Sequence, residues 1–253
     1  MRVAAIQHDI AWEDPAASFE LVRPMIAEAV ADGAELIAVT EMFSTGFSME
    51  ASIVAEPLDG PGASFLTEQA MTHGVTLVGS VPTRHPSFEL PVNLLTVAEA
   101  NGEVHHYAKI HPFSYAGEDQ HYSPGSSFLT VELSGVRTTF FICYDLRFAD
   151  EFWMTGETTD LFVVVANWPA ARQLHWDTLL RARAIENQAY VLAANRIGSD
   201  GSGLDYRGGS TLIDPLGEIV ASAYDQAAVV AGDVAPRVVA DIRQRFPFAN
   251  DRR

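Results

Sequence analysis

Apolar positions along the chain recur with two periods, one typical of amphipathic helices and the other typical of buried strands. Asp14-Pro15 places an N-cap acid before a proline at the first helical position, and apolar residues then recur at spacings of three and four, at Leu21, Val22, Met25, Ile26 and Ala29. Pro24 lies inside this pattern and predicts a late start or a kink. Gly33 ends the helix, and the run Glu35 to Thr40 predicts a buried strand of a parallel sheet.

The rest of the chain mixes strand patterns with helical patterns. Predicted strands cover 3–10, 74–83, 93–98, 104–109, 128–133, 137–142, 161–166, 189–196, 210–213 and 218–222, and helices cover 64–73, a stretch after Asp145, and 173–187. Asn101-Gly102 predicts a hairpin turn, because both residues tolerate positive φ. Hairpins and βα units follow one another without a linker, which favours one α/β domain over residues 1–253 with helices outside mixed sheets.

Composition and charge narrow the class of protein. The 253 residues are 48% apolar, enough for a sizeable core, and their charges sum to −17. Such a surface repels phosphate groups, which argues against nucleic-acid and membrane partners. The first apolar stretch breaks at Gln7, too early for a signal peptide, and no apolar run approaches the ~20 residues of a membrane helix. We therefore expect a soluble protein in the cytoplasm.

Three predicted strands end in residues that carry chemistry. Cys143, the only cysteine, follows the apolar run that ends at Ile142. A lone cysteine is commonly a small buried hydrophobe, but this one lies at a strand end before a helix, where open α/β sheets place ligands. The dipole of that helix is expected to lower the pKa of the thiol below about 8.5. Glu41 and Lys109 end two other strands, so a carboxylate, an ammonium and a thiol indicate a catalytic site.

Three other kinds of site find little support. The histidines show no HExxH spacing, and adjacent His105 and His106 point to opposite faces of a strand, so no metal site is predicted for His105, His106, His111 and His121 with Glu118. The glycines from Gly198 to Gly203 have the order GxxGxG and precede a strand, which predicts a flexible loop instead of a phosphate loop. No GxSxG is present, which excludes a serine hydrolase elbow.

The segments around these three strand ends resemble a known family. TEMFSTGF at Glu41, YAKIHPF at Lys109 and FICYDLRF at Cys143 are similar to the three catalytic motifs of the nitrilase superfamily of carbon–nitrogen hydrolases. The resemblance covers essentially the whole chain, and EMFSTGFSM and NWPAARQLHW look most like the ω-amidase branch, which hydrolyses side-chain amides of 2-oxo acids such as 2-oxoglutaramate. It implies a four-layer α-β-β-α sandwich, a homodimer paired through outer helices, and no metal or organic cofactor.

The resemblance also implies roles for particular residues. Cys143 corresponds to the nucleophile, Glu41 to the general base, Lys109 to the lysine that stabilises the oxyanion, and Glu118 to a second glutamate of the family. The Tyr144 backbone N–H is expected to join Lys109 in binding the oxyanion of a thioester-forming reaction. One departure is KIHPF, where a leucine more commonly precedes the phenylalanine; Pro112 stiffens that loop.

A carboxylate-bearing substrate needs a local cation in so acidic a chain. Arg147 lies about one helical turn beyond Cys143, and Arg172 lies in the loop after the strand 161–166, so either is a candidate; Arg147 is alternatively paired with Asp145 or Asp150. Trp168 and Phe47 are expected either to wall the pocket or to belong to the core. Other activities stay open: hydrolysis of another small amide, an N-carbamoyl compound or a nitrile, or non-catalytic binding on the same fold.

Overall fold

The computed structural model describes residues 1–251, which form two seven-stranded sheets and the helices around them. The strands are β1 (Arg2–Gln7), β2 (Leu36–Ala38), β3 (Glu56–Pro57), β4 (Thr76–Arg84), β5 (Val92–Ala98), β6 (Val104–Ala108), β7 (Thr130–Leu133), β8 (Val136–Ile142), β9 (Leu161–Ala166), β10 (Tyr190–Asn195), β11 (Ile197–Ser199), β12 (Asp205–Ile213), β13 (Ile219–Tyr224) and β14 (Ala228–Asp233). The α-helices are α1 (Pro15–Ala31), α2 (Ala51–Val54), α3 (Pro61–His73), α4 (Ala149–Thr155), α5 (Gln173–Asn187) and α6 (Pro236–Arg245). Short 3₁₀ helices cover Ser114–Ala116, Glu118–Gln120, Cys143–Arg147, Gly156–Thr158, Ala170–Arg172 and Phe248–Asp251.

Each sheet mixes parallel and antiparallel pairs. The first has the order β14-β1-β2-β4-β5-β6, with β3 beside β4, and the second has the order β11-β12-β10-β9-β8-β7, with β13 beside β12. The pairs β1–β2 and β2–β4 are parallel in the first sheet, as are β8–β9 and β9–β10 in the second. The parallel strands follow the near-continuous apolar runs of the sequence, as expected for strands buried on both faces.

The two sheets share one apolar core, and helices cover their outer faces. Leu95 of β5 belongs to the same buried cluster as residues of β8, β9 and β10, and the ring of Tyr107 meets that of Phe141 across the sheets with centroids 6.0 Å apart. Val22 of α1 and Leu66 of α3 pack on the outer face of the first sheet. Helix α5 covers the second sheet. The expected α-β-β-α sandwich is confirmed.

Several boundaries differ from those predicted. Helix α1 begins at Pro15, capped by the Asp14 carboxylate, so the late start is wrong; Pro24 is exposed, where its missing N–H costs little. Strand β1 stops at Gln7, three residues early. The predicted β5–β6 hairpin is present. The Glu99 backbone N–H donates to the Glu103 carbonyl oxygen at 2.8 Å and closes a loop of three residues, in which only Gly102 has positive φ, at 87°.

The glycine-containing segment after β10 is ordered by hydrogen bonds. Ile197–Ser199 pairs with β12, and the Asp200 carboxylate accepts the backbone N–H groups of Ser202 and Leu204, both at 2.9 Å. The predicted loop is the turn that joins β11 to β12, and these hydrogen bonds close it. Strand β14 and helix α6 were not predicted at all. No helix among residues 1–251 is long and apolar enough to cross a membrane.

Candidate active site

Strand ends from both sheets meet at one buried cluster of polar groups. Glu41 and Lys109 follow β2 and β6 of the first sheet, and Cys143 and Asn167 follow β8 and β9 of the second. Glu41 and Glu118 have no exposed surface, Lys109 is 1% exposed, and Cys143 is 9% exposed. The structure therefore brings together the four residues that the resemblance predicted as catalytic.

Lys109, the only lysine of the chain, stands between two carboxylates. Its Nζ donates to Glu41 Oε1 at 2.8 Å and to Glu118 Oε2 and Oε1 at 2.8 and 3.1 Å. The Phe113 backbone N–H also donates to Glu118 Oε2, at 2.5 Å. Burial alone would lower the pKa of Lys109, but the carboxylates of Glu118 and Glu41 outweigh it and raise this pKa above its ordinary value. The lysine is therefore an ammonium whose position both glutamates fix.

Two asparagines complete the contacts of the carboxylates. Asn93 Nδ2 donates to Glu41 Oε1 at 2.8 Å and to Glu118 Oε1 at 3.2 Å. The Asn167 backbone N–H donates to Glu41 Oε2 at 2.8 Å, and its side-chain amide donates to the Glu41 carbonyl oxygen at 2.7 Å. Sequence reasoning missed both residues. Their only sequence signal was a place at the beginning or end of a predicted strand, which many surface asparagines share.

A buried aspartate holds the turn that carries the thiol. Cys143 has φ of +44°, a sparsely populated conformation for a residue with a side chain. The Asp145 carboxylate accepts from the backbone N–H of Ile142 at 3.0 Å, the N–H of His111 at 2.9 Å and the Tyr107 hydroxyl at 2.8 Å. Burial raises the pKa of Asp145 to about 7. This aspartate thus ties the cysteine turn to the loop that follows Lys109.

The expected low thiol pKa is wrong. Burial raises the pKa of Cys143 well above its ordinary value, and the nearby Glu41 carboxylate raises it further, while Lys109 only partly opposes them. The helix after Cys143 is a five-residue 3₁₀ segment, so it contributes only a short dipole. The resting side chain is therefore a thiol that needs a base. Its Sγ donates to the Asn167 carbonyl oxygen at 3.9 Å, and the nearby Glu41 carboxylate is the candidate base.

A cavity of about 210 Å³ opens over the thiol. All five residues expected at the substrate line it: Phe47, Tyr144, Arg147, Trp168 and Arg172. The wall also includes residues that sequence reasoning missed, among them Met49, Phe113, Asp200, Leu204 and Tyr206. The cavity is thus mainly apolar and aromatic, with a few charged groups that can orient a ligand.

Both arginines of the cavity rest on aromatic rings. The Arg147 guanidinium lies 4.9 Å from the Trp168 ring centroid, with Nη2 3.1 Å from His175 Nδ1, and the Arg172 guanidinium lies 5.2 Å from the Phe113 ring centroid. Within residues 1–251 neither forms an ion pair with an acidic side chain. Pairing of Arg147 with Asp145 or Asp150 is therefore not observed.

Phe47 and Trp168 belong to both the wall and the packing. Lys109 Nζ lies 5.2 Å from the Phe47 ring centroid, which places this ring beside the ammonium. Trp168 is 2% exposed and packs on Trp176, with ring centroids 5.4 Å apart. Both alternatives raised for these aromatic residues therefore hold at once.

The histidines do not converge on the thiol. His105 Nε2 lies 2.9 Å from a Glu99 carboxylate oxygen, and these two with Glu103 are close enough to share an ion. They lie at the β5–β6 hairpin, at the opposite end of β6 from Lys109. His111 instead contacts Glu151 at 3.2 Å.

Comparison with known proteins agrees with this geometry. The sequence model of the family "Carbon-nitrogen hydrolase" matches residues 2–244. Omega-amidase YafV of Escherichia coli is 38% identical, covering 99% of this chain and 96% of its own, and 2-oxoglutaramate amidase of Bacillus subtilis is 32% identical, covering 98% and 96%. The crystal structure of XC1258 from Xanthomonas campestris, a CN-hydrolase superfamily protein with an arsenic adduct in its active site, superposes with a TM-score of 0.94 at 36% identity, covering 100% and 97%.

The chain belongs to the carbon–nitrogen hydrolase family, over nearly its whole length. It is an amide-hydrolysing enzyme. The resemblance to the ω-amidase branch is confirmed.

Proposed function

We propose that this enzyme hydrolyses the side-chain amide of a small 2-oxo acid, such as 2-oxoglutaramate, through a thioester on Cys143. The observation that carries the proposal is a cavity lined by the Cys143 thiol and by two arginines, neither of which forms an ion pair with an acidic side chain within residues 1–251. In a chain of net charge −17, unpaired guanidinium groups are a local exception to a surface that repels anions. Relatives named omega-amidase and 2-oxoglutaramate amidase support the same substrate class.

The proposed reaction begins with proton transfer from the thiol to Glu41. Sulfur attacks the amide carbon, the carbonyl electron pair moves to oxygen, and Lys109 with the Tyr144 backbone N–H stabilises the oxyanion. The C–N bond breaks as Glu41 returns the proton to nitrogen, and ammonia leaves. Glu41 then takes a proton from water as the water oxygen attacks the thioester carbon. The C–S bond breaks, Glu41 returns the proton to sulfur, and the carboxylic acid product leaves and gives its remaining proton to ammonia in solution.

One substrate panel tests the proposed function. Ammonia release is measured with 2-oxoglutaramate, glutamine, an N-carbamoyl amine and a nitrile, for the wild-type enzyme and for Cys143→Ala. We expect 2-oxoglutaramate to have the highest kcat/KM and Cys143→Ala to have no turnover. Undiminished turnover in Cys143→Ala overturns covalent catalysis, and preference for another compound moves the enzyme to that substrate class. No turnover of any compound favours a non-catalytic binding role.

The arginines are proposed to hold the substrate carboxylate. Arg147→Lys and Arg172→Lys are compared on 2-oxoglutaramate and on a neutral short-chain amide, with the exposed Arg181→Lys as the matched control. Loss of a bidentate contact should lower kcat/KM for 2-oxoglutaramate about 10- to 100-fold and spare the neutral amide. Equal loss on both amides for both variants means that the arginines act only in the structure.

We also propose that each chain forms a single hydrolase domain and that two chains form a homodimer. A cytoplasmic location is part of the same proposal. The family resemblance supports the dimer. Light scattering should give twice the chain mass of 27.5 kDa, and a mass of one chain contradicts the dimer.

A further inference from the structure

Asn93 contacts three of the four proposed catalytic residues, although it does not line the cavity. Its side-chain NH2 donates to Glu41 and Glu118, and its backbone carbonyl accepts the Lys109 backbone N–H at 3.0 Å. The residue is 1% exposed. A buried amide that joins two carboxylates with like charge is costly to leave unsatisfied, so its orientation matters.

Ser80 fixes that orientation. Ser80 Oγ donates to Asn93 Oδ1 at 2.8 Å and accepts the backbone N–H of Met42 at 2.9 Å. Because Oδ1 accepts from a hydroxyl, the NH2 group must face the carboxylates, which only accept. These hydrogen bonds link the Met42 backbone to Ser80, Ser80 to Asn93, and Asn93 to the side chain of Glu41, the residue before Met42.

Counting donors on Glu41 shows where its base function resides. Oε1 accepts from Lys109 Nζ and Asn93 Nδ2, which fills its two lone-pair directions. Within the part of the chain that the structure describes, Oε2 accepts only the Asn167 backbone N–H. One acceptor direction therefore remains, and it is on Oε2.

We propose that Asn93 is a positioning residue that confines the transferable proton to Oε2 of Glu41 and keeps the two glutamates ionised side by side. This rests on the proposed role of Glu41 as the base. Donors to a carboxylate favour its charged form. The other charged or titratable groups around the pair are the Lys109 ammonium, the Cys143 thiol and the Tyr122 hydroxyl, and none of them replaces a lost amide donor on both carboxylates.

The predicted consequence is a shifted pH profile. Without the amide donors the carboxylate pair takes up a proton more readily, so activity on the acidic side fails at a higher pH. For Asn93→Ala we expect kcat to fall tenfold or more at neutral pH, KM to change less than about threefold, and the midpoint of the acidic limb of kcat/KM to rise by about one pH unit.

The experiment follows kcat/KM for an amide against pH and, independently of turnover, the rate of Cys143 alkylation by iodoacetamide against pH by intact-mass spectrometry. Ser80→Ala retains the Asn93 amide but removes the hydroxyl that orients it. This variant should shift the acidic limbs of both profiles in the same direction as Asn93→Ala, but by less. Asn93→Asp has the same size and replaces the donors with an acceptor, so it should shift them at least as far. Thr96→Val, buried on the same strand and bonded at 3.4 Å to His106, is the control and should not shift them.

The outcomes separate the two proposals. The role of Asn93 is overturned if the acidic limbs of the kcat/KM and alkylation profiles stay in place and activity falls only with the folded fraction of the protein. Ser80→Ala gives the same test where Asn93→Ala fails to fold. A wild-type enzyme that hydrolyses no amide overturns the proposed function. In that case a shifted alkylation limb still supports the positioning of the base, because alkylation needs no amide substrate.

Discussion

Lys109 presents three N–H bonds to a site in which two carboxylates surround it. Glu118 receives the ammonium on both oxygens, and the Asn93 amide and the Phe113 N–H fill its remaining acceptor directions. Every neighbour of Glu118 in this set is a donor, so the bonds fit an ionised carboxylate even though burial opposes that form by raising its pKa. One ammonium proton serves Glu41 and a second is shared by the two oxygens of Glu118, which leaves the third for the oxyanion in the proposed reaction.

Glu41→Gln removes the base while it preserves the volume of the side chain. We expect kcat to fall about 10²–10⁴-fold, because the thiol loses the group that accepts its proton and the leaving nitrogen loses the group that donates one. Ammonia release and thermal unfolding are measured on the same samples. The control is Glu56→Gln, a buried glutamate that accepts the N–H groups of Gly62 and Ala63, which should lower stability and leave kcat nearly unchanged. A fall in kcat that only tracks the melting temperature supports a structural role instead.

Glu41→Gln should also change the rate at which Cys143 is alkylated, and the direction of that change is informative. The Glu41 charge raises the pKa of the thiol, so removal of that charge lowers this pKa and would speed alkylation if thiolate content alone set the rate. We expect the opposite, slower alkylation of Glu41→Gln by iodoacetamide at neutral pH, because the neutral thiol has lost its base. Faster alkylation argues that Glu41 acts through its charge and does not take the proton.

A titratable side chain, that of His8, lies in the interior directly after strand β1. His8 is 1% exposed; its Nδ1 donates to the Asp9 carbonyl at 2.6 Å, and its Nε2 therefore accepts from the Thr40 hydroxyl at 3.1 Å. Burial lowers the pKa of His8 to about 4. In the unfolded chain the imidazole binds a proton near pH 6.5, whereas in the folded protein it stays neutral until about pH 4. The contribution of His8 to stability is therefore complete above pH 6.5 and is lost as the pH falls from 6.5 towards 4.

His8→Asn removes this titration. From pH 7 to pH 4 the wild-type protein should lose up to about 3 kcal/mol of unfolding free energy more than the variant does. Urea unfolding at several pH values measures the difference. Parallel pH profiles for the two proteins contradict the assignment of a neutral buried imidazole.

Local patterns predicted the elements in which apolar residues recur with a clear helical or strand period. The apolar run at Leu161–Ala166 and the helical spacing at Gln173–Asn187 agree with the structure to the residue. Ala228–Asp233 was missed because its partner is β1 at the other end of the chain, and no local pattern records that pairing. The candidate site divides in the same way: motif residues such as Cys143 were identified, whereas Asn93 acquires a role only when distant segments meet.

At the scale of the molecule, the proposed base and lysine belong to one sheet and the nucleophile to the other. The distance between the thiol and Glu41 therefore depends on how the two sheets pack, and the core between them bears directly on the chemistry. The bond from the Asn167 backbone to Glu41 also crosses this junction. A change in sheet packing should thus affect turnover even when it lies far from the cavity.

Two leucine truncations of equal size test this dependence. Leu95→Ala opens a void in the core shared by both sheets, whereas Leu77→Ala opens one between the first sheet and its outer helices. Each should cost about 2–5 kcal/mol of stability, measured by denaturant unfolding. We expect only Leu95→Ala to lower kcat severalfold at a temperature where both variants are folded. Equal kcat values in the two variants mean that the outer and inner layers influence the site alike.

Amine-reactive and thiol-reactive reagents ordinarily meet many targets on a protein, and isotope-labelled lysine ordinarily gives a crowded spectrum. Here the only lysine and the only cysteine of the chain both lie in the buried site. If the protein is expressed with isotope-labelled lysine, the one labelled side chain lies beside the proposed base. Its ammonium resonance then reports the state of the site without any further assignment.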